Sequence, residues 1–135
     1  MLYYLDTNIC ISCIRKTFAA ESIVYRFIVH GYDSISIPSV VVGELMHGAY
    51  KSKISDKTLQ ETEDFISGFK IVPFDYEAAV SYGNIKASLE RSGKIIGPND
   101  MLIAATALSR NATLVTNNTR EFSRIDGLNL SDWTI

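Results

Sequence analysis

Short apolar runs alternate with longer segments of helical character along the whole 135-residue chain. The short runs are rich in β-branched and aromatic residues, whereas the longer segments repeat apolar positions at helical spacing. This alternation is typical of an α/β fold with a mostly parallel central sheet. It predicts one domain over residues 1–135, with strands at Leu2–Leu5, Ser34–Ile37, Lys70–Val72 and Ala112–Val115 and an edge strand at Leu128–Leu130.

Helix ends are marked by residues that favour helix starts and stops. Asp56 and Asp75 are placed as N-caps, and Gly31 and Gly93 stand where helices stop. Proline opens two further helices, because its fixed φ suits the first helical position. The predicted helices are Asn8–Arg15, Ala19–His30, Pro38-Ser39 to about Lys53, Asp56 to about Gly68, Asp75–Ser92, Pro98-Asn99 to about Arg110 and Thr119–Ser123.

Three acids, Asp6, Glu44 and Asp100, occupy matching places beside these elements. Each lies next to a short apolar run, and a polar cluster, Thr116-Asn117-Asn118-Thr119, follows the strand-like run that ends at Val115. In open α/β sheets ligands bind beyond the carboxyl ends of the strands, so these groups are expected to converge at one edge. Carboxylates gathered there suit Mg²⁺, and such a cation suggests hydrolysis of phosphate esters.

Each polar residue also has a purely structural interpretation. Asp6 could be only a helix N-cap, and Asp100 could simply complement a helix dipole. Glu44 is harder to explain in this way, because a carboxylate among valines is costly unless it is paired or bound to a cation. Asn117-Asn118 could form a turn or orient water or phosphate, and Arg120 could contact phosphate or pair with a surface acid.

Composition and charge narrow the function classes. Hydrophobic residues make up 47% of the chain and charged residues 21%, and no apolar stretch approaches the roughly 20 residues of a membrane span. No signal peptide is recognisable, so a cytoplasmic protein is expected. The net charge of −2 argues against a general nucleic-acid binder, but the three acids contribute −3 and the remainder carries +1. A polyanionic substrate therefore remains compatible with the charge.

Three other functions are consistent with parts of the sequence. Cys10 and Cys13 have the C-x-x-C spacing of a thiol redox motif, although two small apolar residues on a helix explain them more simply. A small metal-dependent phosphatase could use Asp6 as nucleophile, but it usually needs a second acid where Asn8 stands. A non-catalytic binding module could keep the acids for stability.

The motifs, taken together, resemble those of PIN-domain nucleases of the VapC toxin type. The resemblance is carried by Leu5-Asp6-Thr7-Asn8, Gly43-Glu44-Leu45 with Gly48-Ala49, Ile96–Ala105, Leu114–Phe122, and Gly127-Leu128 through Asp132-Trp133. It implies a three-layer α/β/α domain and an Mg²⁺- or Mn²⁺-dependent endoribonuclease that acts as the toxin of a type II toxin–antitoxin pair. It also implies a homodimer inhibited by an antitoxin that covers the active-site groove, and tRNA, through the initiator anticodon loop, as a candidate substrate.

The same resemblance implies metal binding by Asp6, Glu44 and Asp100, with support from Thr7 and Thr116. From its own chemistry, Asn118 is predicted to orient water or phosphate. Asn8, Asn117 and Arg120 are predicted to contact substrate or support the site.

The sequence departs from the family pattern in two places. Many PIN domains have a fourth acid where this chain has Asn117-Asn118, and Glu121 is one or two residues late as a substitute. Val41 stands three residues before Glu44, where relatives often have a hydroxyl. The number of metals, one or two, is therefore left open by the sequence, and one supporting hydrogen bond is expected to be missing.

Overall fold

The computed structural model describes residues 1–135 and contains one five-stranded sheet in which every neighbouring pair is parallel. The strand order is β3-β2-β1-β4-β5. This confirms the predicted α/β fold and its three-layer α/β/α class. The strands are β1 (Tyr3–Leu5), β2 (Ile35–Pro38), β3 (Lys70–Val72), β4 (Thr113–Val115) and β5 (Asn129–Ser131).

Seven helices connect and cover the strands, and all of the predicted helices are present. Gly93 ends α5 in the left-handed conformation (φ 70°), which a residue without a Cβ adopts readily. The helices are α1 (Thr7–Arg15), α2 (Ala20–His30), α3 (Ser39–Tyr50), α4 (Ser55–Ile66), α5 (Tyr76–Ser92), α6 (Pro98–Ser109) and α7 (Thr119–Phe122), with a 3₁₀ turn at Tyr32–Ser34.

The strand order creates a switch point between β1 and β4. From β1 the chain moves outward to β2 and β3, then returns to the other side of β1 to form β4. The loops after β1 and β4 therefore leave the sheet in different directions and open a crevice between them. Leu5 is in register with Val115, so the residues that follow these two strands lie side by side.

The core holds this arrangement from both sides of the sheet. Leu5 and Val115 are fully buried, as are Ile103, Ala104 and Ala105 on α6. Each fully buried aliphatic side chain contributes about 1.5–3 kcal/mol relative to exposure. Asp100, in the first turn of α6, is thereby held in place by the buried part of the same helix.

Some predicted boundaries differ from the structure. The prediction of Asp56 as an N-cap is wrong, because α4 begins one residue earlier and the Ile54 cap position makes no side-chain cap bond. Hydroxyls of Ser52 and Thr58 bond the Ile54 backbone instead, and Asp56 lies in the first turn, where it complements the helix dipole. The edge strand β5 is shifted by one residue from its prediction.

The helix predicted to run to about Lys53 ends at Tyr50.

None of the helices is both long enough and apolar enough to cross a membrane.

Candidate functional site

Asp6 lies at the switch point and is almost completely buried, with 4% of its surface exposed. It is the N-cap of α1, and its Oδ1 accepts the Thr7 backbone N–H at 2.8 Å. Its Oδ2 accepts the Thr116 hydroxyl at 2.7 Å. The pKa of Asp6 is raised, mainly by burial and further by the charge of Glu44, although the two hydrogen bonds lower it in part. The capping and functional interpretations of Asp6 are therefore compatible.

Thr116 connects Asp6 to the loop after β4. It is fully buried, and its Oγ1 donates to Asp6 Oδ2 while accepting the Asn118 backbone N–H at 2.9 Å. Both hydrogen-bonding functions of the hydroxyl are used inside the protein. This fixes the rotamer of Thr116 and the orientation of the Asp6 carboxylate.

Glu44 approaches the same place from α3 and is held by two donors. The Thr7 hydroxyl donates to Oε1 at 2.6 Å, and the Asn99 Nδ2 donates to Oε2 at 3.4 Å. Val41 is fully buried in the core. The supporting bond expected to be missing because of Val41 is therefore replaced by bonds from Thr7 and from Asn99, which the sequence analysis had not assigned to the site.

Asp100 lies in the first turn of α6, half-buried, and accepts no hydrogen bond from the protein. Its pKa is raised to about 6, first by burial and then by the negative charges of Asp6, Glu44 and Glu121. An unpaired carboxylate beside three others is electrostatically unfavourable. It is the least compensated charge of the group.

Glu121 is the third carboxylate that acts on Asp100 and the fourth member of the group. It lies in the first turn of α7, and its Oε2 accepts the Asn118 Nδ2 at 3.4 Å. In the sequence, Glu121 is one or two residues late for the fourth position. The structure brings Glu121 to the site through the short helix, and one role of Asn118 is to hold it.

The side chains of three other predicted site residues make no hydrogen bond within the site. Asn8, Asn117 and Arg120 are exposed, and none of their side chains forms a hydrogen bond with the protein. Arg120 forms no ion pair with Glu121; the chain's only salt bridge joins Arg110 and Asp75. Roles for Asn8, Asn117 and Arg120 remain predictions.

The donor set fits a hard divalent cation that keeps part of its water shell. No three His, Cys, Asp or Glu side chains approach closely enough to form a complete metal-binding group by themselves. Three carboxylates nevertheless act on Asp100, and burial together with their negative charge raises its pKa. Mg²⁺ typically binds through one or two carboxylates and retains several waters, so this open arrangement matches its chemistry.

A groove of about 440 Å³ adjoins Glu44 and is lined by residues of α1, α3 and α4 and of the segment between α3 and α4. Its walls are mixed, with aliphatic side chains beside charged and hydroxyl groups. The groove is lined by Ile11, Ile14, Arg15, Lys16, Glu44, Leu45, Gly48, Ala49, Ser52, Ile54, Thr58, Glu61 and Thr62.

The two cysteines lie on α1 and are free thiols. Cys10 is fully buried, and burial raises its pKa well above the usual value. Burial also raises the pKa of Cys13 to about 11. Both thiols are therefore protonated at neutral pH and poor nucleophiles, as expected for small core residues.

Comparison with known proteins identifies chains of similar sequence and fold. The chain is 42% identical over 132 residues to the tRNA(fMet)-specific endonuclease VapC of Shigella flexneri, and the match covers 98% of each protein. It is 40% identical over 133 residues to ribonuclease VapC2 of Rickettsia felis, again over 98% of each. The DNA-bound VapBC crystal structure from Salmonella typhimurium contains a chain with a TM-score of 0.92 and 41% identity, covering 98% of this chain and 99% of that one. The PIN domain family model matches residues 3–128, and the chain therefore belongs to the PIN-domain family.

Proposed function

We propose that this chain is a divalent-cation-dependent endoribonuclease that hydrolyses RNA phosphodiester bonds as the toxin of a toxin–antitoxin pair. The observation that carries the proposal is the group of four carboxylates at the switch point of the sheet, with Asp6 fixed by Thr116 and Asp100 left without a partner. The relatives named as VapC ribonucleases support the reaction class.

The four acids have different roles in this proposal, according to their surroundings. Asp6 and Asp100 are the groups that hold the cation, Mg²⁺ or its substitute Mn²⁺, with Glu121 beside them. Bound there, the cation supplies polarisation of a phosphoryl oxygen and a lowered pKa for a bound water. Glu44 is either a further ligand or the base that takes a proton from the attacking water, and Thr7 fixes its orientation for either role.

The test of this function is cleavage of defined RNAs with and without the cation. We expect the chain to cut RNA with Mg²⁺ or Mn²⁺ and to lose activity in chelator. One relative is named for tRNA(fMet), so initiator tRNA is compared with an elongator tRNA of similar length. Cleavage sites are mapped by sequencing the new ends. Undiminished cleavage in chelator, or no cleavage of any RNA with either cation, would contradict the proposal.

Replacing Thr116 by valine tests the support of Asp6. The change keeps the shape of the side chain but leaves Asp6 Oδ2 and the Asn118 N–H without this partner. We expect the Mg²⁺ concentration for half-maximal cleavage to rise about tenfold, because groups that orient metal ligands typically have effects of this size. Thr116→Ser keeps the hydroxyl and is the matched control. An unchanged Mg²⁺ dependence in Thr116→Val would show that Thr116 has only a structural role.

The groove beside Glu44 is the surface we assign to the antitoxin. It offers aliphatic side chains for an apolar segment and includes Arg15, Lys16 and Glu61 for charged contacts. A segment bound there would cover Glu44. Solved relatives are VapBC complexes, which supports this type of partner. Coexpression with the product of an adjacent reading frame, followed by copurification and a cleavage assay, tests it; a copurifying partner that leaves cleavage unchanged would contradict the assignment.

A further inference from the structure

A second cavity, of about 210 Å³, lies between α5, the end of α6 and the segment after α7. It shares no residue with the four-carboxylate site or with the groove beside Glu44. Nothing in the proposed reaction yet uses it. The cavity is lined by Asn84, Ile85, Ser88, Leu89, Leu108, Arg124, Ile125 and Asp126.

The cavity has an apolar floor and a polar rim. Ile85, Leu89 and Ile125 are at most 5% exposed and form the floor, whereas the polar side chains are exposed. Asn84 and Ser88 are four residues apart on α5, so they lie on the same face of the helix. This combination suits a flat ligand with apolar faces and hydrogen-bonding edges, as in ligand sites generally. A nucleobase has this form.

The rim also carries two charges of opposite sign that do not pair with each other. Asp126 accepts no hydrogen bond from the protein and forms no salt bridge. Arg124 uses one N–H to donate to the Ile95 carbonyl at 3.3 Å, and its other donors are free. The carboxylate can therefore accept from N–H groups of a base, and the guanidinium can donate to a phosphate.

Arg124 also connects the cavity to the segments that carry two of the acids. Ile95 belongs to the loop that leads into α6 and Asp100, and Arg124 follows the short helix that carries Glu121. The Arg124–Ile95 bond is thus the physical link between the base-sized cavity and the segments of Asp100 and Glu121, along which an RNA strand would reach the cavity.

We propose that this cavity is a subsite for one base of the RNA substrate, on one side of the scissile phosphate, and that it prefers guanine. Guanine presents two adjacent donors, N1–H and N2–H, which a single carboxylate such as Asp126 accepts together. Adenine, cytosine and uracil present no such pair on their Watson–Crick edges. The inference rests on the proposed ribonuclease function and adds a specificity determinant outside the four acids.

The first measurement is nucleotide binding, which does not depend on catalysis. The protein is titrated with GMP, AMP, CMP and UMP while backbone amide NMR signals are followed. We expect GMP to shift signals at Asn84, Ser88 and Asp126 and to bind about tenfold more tightly than the others, because a bidentate contact discriminates by about that factor or more. Asp126→Asn should remove the preference, whereas Asp33→Asn, an exposed aspartate elsewhere, should not.

The second measurement uses single-stranded RNA oligonucleotides that share one cleavage site. Each flanking position is varied in turn among the four bases and an abasic sugar. We expect one position at which guanine is preferred and the abasic sugar lowers kcat/KM about tenfold, since burial of the base against the aliphatic floor contributes roughly that much. Ser88→Leu, which covers the cavity, should abolish this preference, while Ser92→Leu on the same helix should retain it.

The outcomes separate the two proposals. Cleavage without a base preference at any flanking position, together with equal binding of the four nucleotides, overturns the subsite and leaves the nuclease intact. Absence of RNA cleavage overturns the nuclease and, with it, the assignment of the cavity to an RNA substrate. A guanine preference that persists in both Asp126→Asn and Ser88→Leu places the determinant elsewhere and also overturns the subsite.

Discussion

Asp6→Asn is expected to reduce RNA cleavage by at least about a thousandfold while leaving the protein folded. The substitution removes the negative charge at the switch point but keeps an oxygen that accepts the Thr7 N–H, while the new amide Nδ2 donates to the Thr116 hydroxyl, whose direction of bonding reverses. Asparagine is also a good N-cap, so the start of α1 is preserved. Cleavage of a labelled RNA under single-turnover conditions at saturating Mg²⁺ gives the rate, and far-UV circular dichroism gives the fold.

Asp33→Asn is the matched control for this experiment. Asp33 is exposed in the 3₁₀ turn before β2 and makes no contact with the site. Its substitution changes the net charge by the same amount, so a purely electrostatic effect on RNA binding would appear in both variants. Wild-type rates in Asp6→Asn would eliminate Asp6 from the reaction, and equal losses in both variants would reassign its effect to overall charge.

The place of the site could be predicted from the sequence, but its contacts could not. Apolar runs located Asp6 and Thr116 just past two strands, and parallel strands end at the same edge of a sheet. Sequence order does not reveal that the first and fourth strands are neighbours. That pairing depends on the crossover from β3 to β4, and it is what brings the Thr116 hydroxyl within 2.7 Å of Asp6.

The position of Glu121 depends on the turn and short helix that follow β4, which its place in the sequence does not reveal. After Val115 the chain turns within three residues and starts α7 at Thr119, so Glu121 is directed by a helix rather than by a strand. The Asn118-x-x-Glu121 spacing is that of residues at a helix N-terminus, and it could have indicated their contact. The structure shows this contact as a bond from Asn118 Nδ2 to Glu121 Oε2.

Thr7 was predicted to support the site, but neither its bond to Glu44 nor that of Asn99 could be predicted from local sequence. Helical spacing places a partner three or four residues away on α3, and Val41 offers no hydroxyl there. The donors come instead from Thr7 on α1 and Asn99 on α6, 37 and 55 residues away in sequence. Such distant contacts depend on how helices pack together, which local patterns do not specify.

The pKa of Asp100 determines how the site affects stability. In the folded protein this pKa is about 6, above the ordinary value of 3.8, so the folded state binds the proton more tightly than the unfolded state does. The favourable contribution of protonated Asp100 is complete below about pH 4 and is lost as pH rises through 6. At neutral pH without a cation, the ionised carboxylate therefore destabilises the fold.

Asp100→Asn should consequently increase stability at pH 7.5 while it abolishes cleavage. Without divalent cation we expect the variant to unfold with a free energy about 1 kcal/mol higher than wild type, after allowance for solvent screening of a half-buried group. The difference should vanish near pH 4. Mg²⁺ should stabilise wild type and not the variant, because only wild type keeps the full set of acids. Urea unfolding at both pH values, with Mg²⁺ or chelator, measures each of these effects. If the variant is less stable than wild type at pH 7.5 in chelator, the ionised Asp100 carboxylate stabilises the fold, and the prediction is wrong.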